Sequence, residues 1–203
     1  MGPEIVGPVT GPLIVATRNA HKLRELGEAL PGVELLPLPG SVELPPEDGE
    51  TFTDNALIKA RSAHEETGRA ALADDSGIEA VALGGRPGVR SARFAGEDAS
   101  DEENLNKLMA ELKGKDRRVA YVCVLALVGE DGTESTFEGR CEGVLAESPR
   151  GSGGFGYDPA FVPYDMGPGD DRTMAELDPV EKHAISHRGL AARALAEHLG
   201  VAV

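Results

Sequence analysis

The sequence predicts an α/β fold, and three observations carry that expectation. Short apolar runs with strand character alternate with stretches of helical periodicity, and Gly or Pro stop signals separate them. At 203 residues the chain is long enough for one well-buried domain, or for two lobes that share a core. Internal repeats and low-complexity linkers are absent, so residues 12–203 read as a single unit behind a loose tail, 1–11.

The elements follow in order. Leu13 to Thr17 is a short buried strand that runs into Asn19, a good N-cap, and then a helix with Leu23, Leu26 and Leu30 on one face. Pro31-Gly32 stops it, and Val33 to Leu38 is a second strand. An acidic, Pro-rich loop, Ser41 to Glu50, precedes a helix that starts at Thr51 or Thr53 and closes at Gly68, with Phe52, Ala56, Leu57, Ala60 and Ala63 inward. Ala70 to Ala73 is a strand expected to end abruptly at Asp74-Asp75-Ser76-Gly77. A Gly- and Arg-rich loop, Gly84 to Gly96, leads to a helix over 100–112, opened by the capping pair Ser100 and Glu103. Val119 to Val128 and Thr133 to Val144 flank a hairpin-like turn. A Gly- and Pro-rich stretch then reaches a helical region, Asp178 to Leu199, in which Ser186 caps a second helix carrying Leu190, Ala194, Leu195 and Leu199 inward.

Composition excludes several classes of function. The formal net charge of -15 argues against a general nucleic-acid binder, which would need a basic face. No apolar run approaches the ~20 residues that span a bilayer, and the N-terminus has no basic or apolar signal region. The two cysteines, Cys123 and Cys141, read as small buried hydrophobes in a reducing, cytoplasmic setting. A small polyanion remains possible if local basic residues and a metal ion offset the overall field.

Two places have the residues for that chemistry. Arg18, His21 and Lys22 crowd a helix start, where the macrodipole disfavours cations, and His187 and Arg188 repeat the arrangement near the C-terminus. An anionic ligand at the helix N-terminus would account for both. Asp74 and Asp75 lie at a strand end, and adjacent side chains on extended backbone point to opposite faces. One can therefore ligate magnesium, which favours oxygen donors and bridges phosphates, while the other orients water or caps a turn. Glu47, Asp48 and Glu50 form another acidic cluster, of interest only if the fold brings it to Asp75. Gly151 to Gly156 matches G-x-G-x-x-G, but Pro159 and Pro163 stand where the helix of a dinucleotide fold should begin, so it reads as a ligand-facing loop with stacking aromatics. His183 and His187 have the spacing of a zinc pair without the residues to complete it.

Together these segments resemble the inosine triphosphate pyrophosphatase (dITP/XTP pyrophosphatase) family. The matching pieces are TRNAHK (17–22), ETFTDNALIKA (50–60), ALADDSGIEA (71–80), the stretch 84–108, GSGGFGYDPAFVP (151–163) and EKHAISHRGLA (181–191), in family order. The resemblance implies a long mixed β-sheet flanked by helices, two lobes with the active-site cleft between them, magnesium dependence and a homodimer. It implies hydrolysis of ITP, dITP and XTP to monophosphate and pyrophosphate, which would cleanse the nucleotide pool. Other modified nucleotides as substrates, or nucleotide binding without catalysis, are the alternatives. By position, Thr17, Arg18, Asn19, Ala20, His21 and Lys22 resemble the phosphate-binding segment, with Lys59 in support. Asp75 resembles the catalytic base and a metal ligand, with Asp74 beside it, Ser76 on the substrate and Glu47 as second metal ligand. Phe155, Gly156, Tyr157, Asp158, Lys182, His187 and Arg188 resemble the base and sugar site. Arg188 would face position 2 of the base, refusing the guanine amino group and tolerating the xanthine oxygen. Arg18 departs from the pattern, since many relatives carry a small residue there.

Overall fold

The computed structural model describes residues 11–167 and 169–202, so the expected tail lies outside the described residues except for Gly11. Strand β1 (Leu13–Val15) is wholly buried and leads into helix α1 (Ala20–Ala29). Asn19 caps the helix, its Oδ1 accepting from His21 N at 2.9 Å and Lys22 N at 3.3 Å. After β2 (Leu35–Pro37), helix α2 (Phe52–Thr67) opens on a Thr51–Asp54 capping box. It ends at Gly68, whose φ of 65° is left-handed and suits a residue without Cβ. Strand β3 (Ala71–Ala80), helix α3 (Asp101–Glu111) with its Ser100–Glu103 capping box, and strands β4 (Arg118–Val128) and β5 (Glu134–Leu145) follow. The turn between β4 and β5 closes through Gly129 N to Thr133 O at 2.9 Å. Strand β6 (Phe161–Pro163) and helices α4 (Pro179–Ile185) and α5 (His187–Leu199) complete the order.

The six strands form one sheet in the order β2-β1-β3-β4-β5-β6. β1 is parallel to both β2 and β3, whereas β5 and β6 are antiparallel, so the α/β expectation of a mixed sheet with helices is met. The chain forms two compact units. Among the described residues, one holds 11–75, Cys123–Gly139 and 188–202; the other holds Ser76–Val122, 140–167 and 169–187. The first has a core of Leu13, Val15, Leu26, Leu30, Leu72, Cys123, Leu125 and Leu195. The second packs Ile78, Leu108, Tyr121, Cys141, Leu145, Phe161 and Met174. Both cysteines are buried and free, as small hydrophobes should be. No helix among the described residues is long and apolar enough to cross a membrane.

Three elements differ from the sequence reading. β3 does not stop at Ala73 but continues through Asp74-Asp75-Ser76-Gly77 to Ala80. The two carboxylates do not force a turn because each finds basic or amide partners inside the protein, which removes the cost of burying them. The second correction concerns α5, whose fully buried residues are Ala191, Ala192, Leu195 and Ala196, with Arg188 as the first of the stripe. Those positions are i, i+3, i+4, i+7 and i+8, a helical face whose phase is set by a buried arginine. Finally, β6 lies in the Gly- and Pro-rich stretch. Three residues, the last of them Pro163, carry no periodicity to read.

Candidate active site

The carboxylate pair on β3 is built from both faces of one strand. Asp74 has a side chain with no exposure, and its Oδ2 lies 3.0 Å from Lys22 Nζ on α1 and 3.1 Å from Arg188 Nη2 on α5. Arg188 also pairs through Nη1 with Glu25 on α1. Asp75 meets a different helix. Its Oδ2 accepts from Asn55 Nδ2 at 3.0 Å and its Oδ1 lies 3.9 Å from Lys59 Nζ, both on α2. The alternation of an extended strand thus gives adjacent carboxylates separate surroundings, as expected.

Those surroundings push the two acids apart. Burial would raise Asp74, but Lys22, Arg188 and Lys59 outweigh it and hold the carboxyl well below the usual range. For Asp75 burial wins over Lys59, Lys22 and the Asn55 hydrogen bond, so its carboxyl is raised above the ordinary aspartate value. Lys59 shows the complement: burial disfavours its charge, yet Asp74, Asp75 and Glu47 together keep it raised. Glu47, from the loop before α2, hydrogen-bonds the Lys59 ammonium. Of the acidic loop residues it is Glu47, rather than Glu50, that reaches this centre.

Asp75 and Glu47 therefore point oxygen atoms at one cationic position, now held by the Lys59 ammonium. Two carboxylate oxygens that converge on one cation are donors of the kind a hard divalent cation takes. Among the described residues no group of three or more His, Cys, Asp or Glu could hold a metal, so water or phosphate oxygens would complete the coordination.

The basic helix starts read differently from the sequence expectation. Lys22 and Arg188 are compensated by Asp74 and Glu25, so a polyanion is not required to explain their position. Asn19 Oδ1 takes the N–H groups of His21 and Lys22, and Asn19 N donates to Thr17 Oγ1 at 3.1 Å. His21 sits beside Arg24, its Nδ1 at 3.1 Å from the guanidinium. Ala20 simply opens the helix. Arg18 turns to backbone carbonyls, donating from Nη1 to Leu38 O at 3.0 Å and from Nη2 to Pro39 O at 2.9 Å. Arg188 was expected at a base edge. Its terminal nitrogens meet the carboxylates of Glu25 and Asp74, in a side chain that is 3% exposed.

A second cluster gathers around Asp158 in the other unit. Its Oδ2 accepts from Phe155 N at 3.0 Å and Lys182 Nζ at 2.9 Å, and its Oδ1 accepts from Tyr121 Oη at 3.1 Å. A Cβ at Gly154 would lie 2.0 Å from Asp158 Oδ2, and the residue has a φ of +70°, so glycine is required on both counts. His187 stacks on the Tyr121 ring at 4.5 Å with 13° between planes. Lys182 Nζ stands 5.6 Å over the Phe155 ring. Tyr157 donates its hydroxyl to Ser91 O at 2.7 Å, and Gly156 N donates to Asp101 Oδ2 at 2.8 Å. Ser76, next after Asp75 in β3, begins this unit.

Sequence reasoning missed Asn55, Glu25 and Tyr121. The first two had a signal. Phe52, Asn55, Ala56, Lys59, Ala60 and Ala63 are the buried residues of α2, one helical stripe with two polar members. Glu25 likewise stands beside Leu26 on the buried side of α1, one turn from Lys22. A polar residue on an inward stripe marks a site. Tyr121 lies within an unbroken apolar strand and offered none.

The chain is similar to several known proteins. Residues 13–198 match the Ham1 family. A dITP/XTP pyrophosphatase of Geobacter sulfurreducens is 49% identical over 195 residues, covering 93% of this chain and 96% of the relative. One from Mycobacterium tuberculosis is 51% identical over 189 residues, covering 88% of this chain and 90% of the relative. The solved structure of a HAM1 protein from Coxiella burnetii superposes with a TM-score of 0.82 at 43% identity, covering 93% of this chain and 98% of that one. With a paired-carboxylate strand flanked by lysines, and a match that spans nearly all described residues, this chain belongs to the Ham1 family.

Proposed function

We propose that this protein hydrolyses non-standard purine nucleoside triphosphates (ITP, dITP and XTP) to the monophosphate and pyrophosphate. The observation that carries the proposal is the division of Asp74 from Asp75. Two neighbouring acids driven to opposite protonation tendencies are the usual mark of a base beside a fixed countercharge. The names of the relatives at about half identity support the same reaction.

Asp75 acts as the general base. Burial raises its proton affinity toward the range where a carboxylate can take a proton from water, and Asn55 fixes its orientation. Asp74 stays ionised and holds Lys22, whose ammonium has three donors and can share them with a phosphate. Lys22 thereby stabilises charge that develops on the phosphate oxygens during attack at the α-phosphorus. Asp75 and Glu47 would hold magnesium, which when bound supplies Lewis-acid charge to those oxygens. Lys59 balances the two carboxylates and supports the phosphates.

Phe155 and the Asp158 cluster serve the base. Donors on Lys182 and His187 suit the 6-keto acceptor shared by hypoxanthine and xanthine, and would face the 6-amino donor of adenine. Such a mismatch leaves polar groups unpaired and can cost ~10⁴ in specificity. The reading includes a homodimer and a cytoplasmic location.

Pyrophosphate release with magnesium from ITP, dITP, XTP, GTP, ATP and dUTP tests the proposal. Preference for the first three is expected. Preference for dUTP would transfer the site to other modified nucleotides, and binding without release would make the protein a nucleotide binder only.

A further inference from the structure

We infer that Arg18 is a positioning residue for the loop that carries Glu47, and not a phosphate contact. The inference rests on the reading of Glu47 as a metal ligand. Between β2 and α2 the chain has no regular structure, and it contains Pro39, Pro45 and Pro46 together with Glu43, Glu47, Asp48 and Glu50. Like charges there repel, and prolines lack N–H groups, so the loop has few donors of its own with which to tie itself down. Its carbonyls remain to be held, and a side chain with several donors and no acceptor suits them.

Arg18 meets that requirement. Its guanidinium donates to Leu38 O at 3.0 Å, Pro39 O at 2.9 Å and Val42 O at 2.5 Å. Val42 N closes the same turn on Pro39 O at 3.1 Å, and Leu38 and Val42 are buried. A planar fork with five donors can span three carbonyls, whereas a lysine is a single point. The far end of the loop is pinned by Gly49 N, which donates to Asn55 Oδ1 at 2.8 Å. A Cβ at Gly49 would stand 2.8 Å from that oxygen and 2.7 Å from Asp54 Cβ, so the approach depends on glycine. Asn55 also donates to Asp75. Glu47 thus sits between two anchors, with Arg18 holding the first and the Asp75 partner holding the second.

The test compares wild type with Arg18→Ala, Arg18→Lys and Glu47→Gln in nucleotide-free protein. Hydrogen–deuterium exchange over residues 38–50 reports the loop, and calorimetric titration with Mn²⁺ reports the metal centre. For Arg18→Ala we expect faster exchange in 38–50 and a Mn²⁺ Kd raised about five- to tenfold, a modest change because the side chain is exposed. Arg18→Lys should recover less than half of either effect. With saturating metal, the KM for ITP should rise less than the Mn²⁺ Kd. Unchanged exchange and Mn²⁺ affinity with a raised KM would make Arg18 a phosphate contact and overturn the inference. If Glu47→Gln binds Mn²⁺ like wild type, the metal reading of Glu47 fails, while exchange over 38–50 still decides whether Arg18 holds the loop.

Discussion

Asparagine at position 74 and asparagine at position 75 should have opposite effects on stability. The Asp74 carboxylate has no exposed side-chain surface and two cations within 3.1 Å. Asp74→Asn keeps the shape but leaves Arg188, 3% exposed, with the Glu25 carboxylate, and turns an amide donor or a neutral oxygen toward two cations. Breaking one side of a buried pair costs ~3–5 kcal/mol. Lys22 is 16% exposed and can recover water, which places the loss near the lower end, ~3 kcal/mol. For a chain of this size that is a fall in Tm of ~6–12 °C. Asp75→Asn removes a charge that burial disfavours, and Lys59 keeps Glu47, so without metal the variant should be at least as stable as wild type.

The two effects also differ with pH. The Asp74 carboxyl is depressed by folding, so its contribution is fully present above the ordinary value of ~3.9 and is lost as pH falls through the lower folded value. The deficit of Asp74→Asn should therefore be constant near neutrality and shrink only in strong acid. Asp75 is raised by folding, so its cost appears as pH rises from the ordinary value through the folded one. Any gain from Asp75→Asn should grow over that window and then level. Chemical denaturation of metal-free protein at several pH values measures both. Equal destabilisation by the two substitutions, or a fully stable Asp74→Asn, would refute the division of roles.

Further outcomes follow from the same geometry. Arg188→Ala should cost ~3–5 kcal/mol by removing a buried partner of Asp74 and Glu25, yet leave the ratio of ITP to GTP turnover unchanged, as denaturation and paired kinetics would report. A shifted ratio would restore Arg188 to the base edge. Asp158→Asn removes the charge and turns one of the two oxygens that accept from Phe155 N, Lys182 and Tyr121 into a donor, so the KM for ITP should rise ~10-fold or more, with a smaller change in kcat. Glu47→Gln should raise the magnesium concentration needed for half-maximal rate, measured at fixed ITP.

Much of this was legible from residues. Caps and stops placed α1, α2 and α3 to within a residue or two, because Asn19, Thr51, Ser100 and Gly68 act locally. The Asp74-Asp75 pair announced a site, and the side chains do part to different helices. What could not be read was compensation at long range. Lys22 and Arg188 looked misplaced at helix starts because Asp74 and Glu25, their partners, are distant in the chain. The same compensation lets β3 run through two aspartates that locally favour a turn. A buried arginine also set the phase of α5, against a pattern that assumed charges face solvent.

Hydrolysis of dITP in ¹⁸O-labelled water, with magnesium, tests the central reading most directly. Attack by water from Asp75 on the α-phosphorus predicts one labelled oxygen in the monophosphate and none in the pyrophosphate, with label incorporation abolished in Asp75→Asn. Label in pyrophosphate or orthophosphate, or undiminished incorporation by Asp75→Asn, would contradict it.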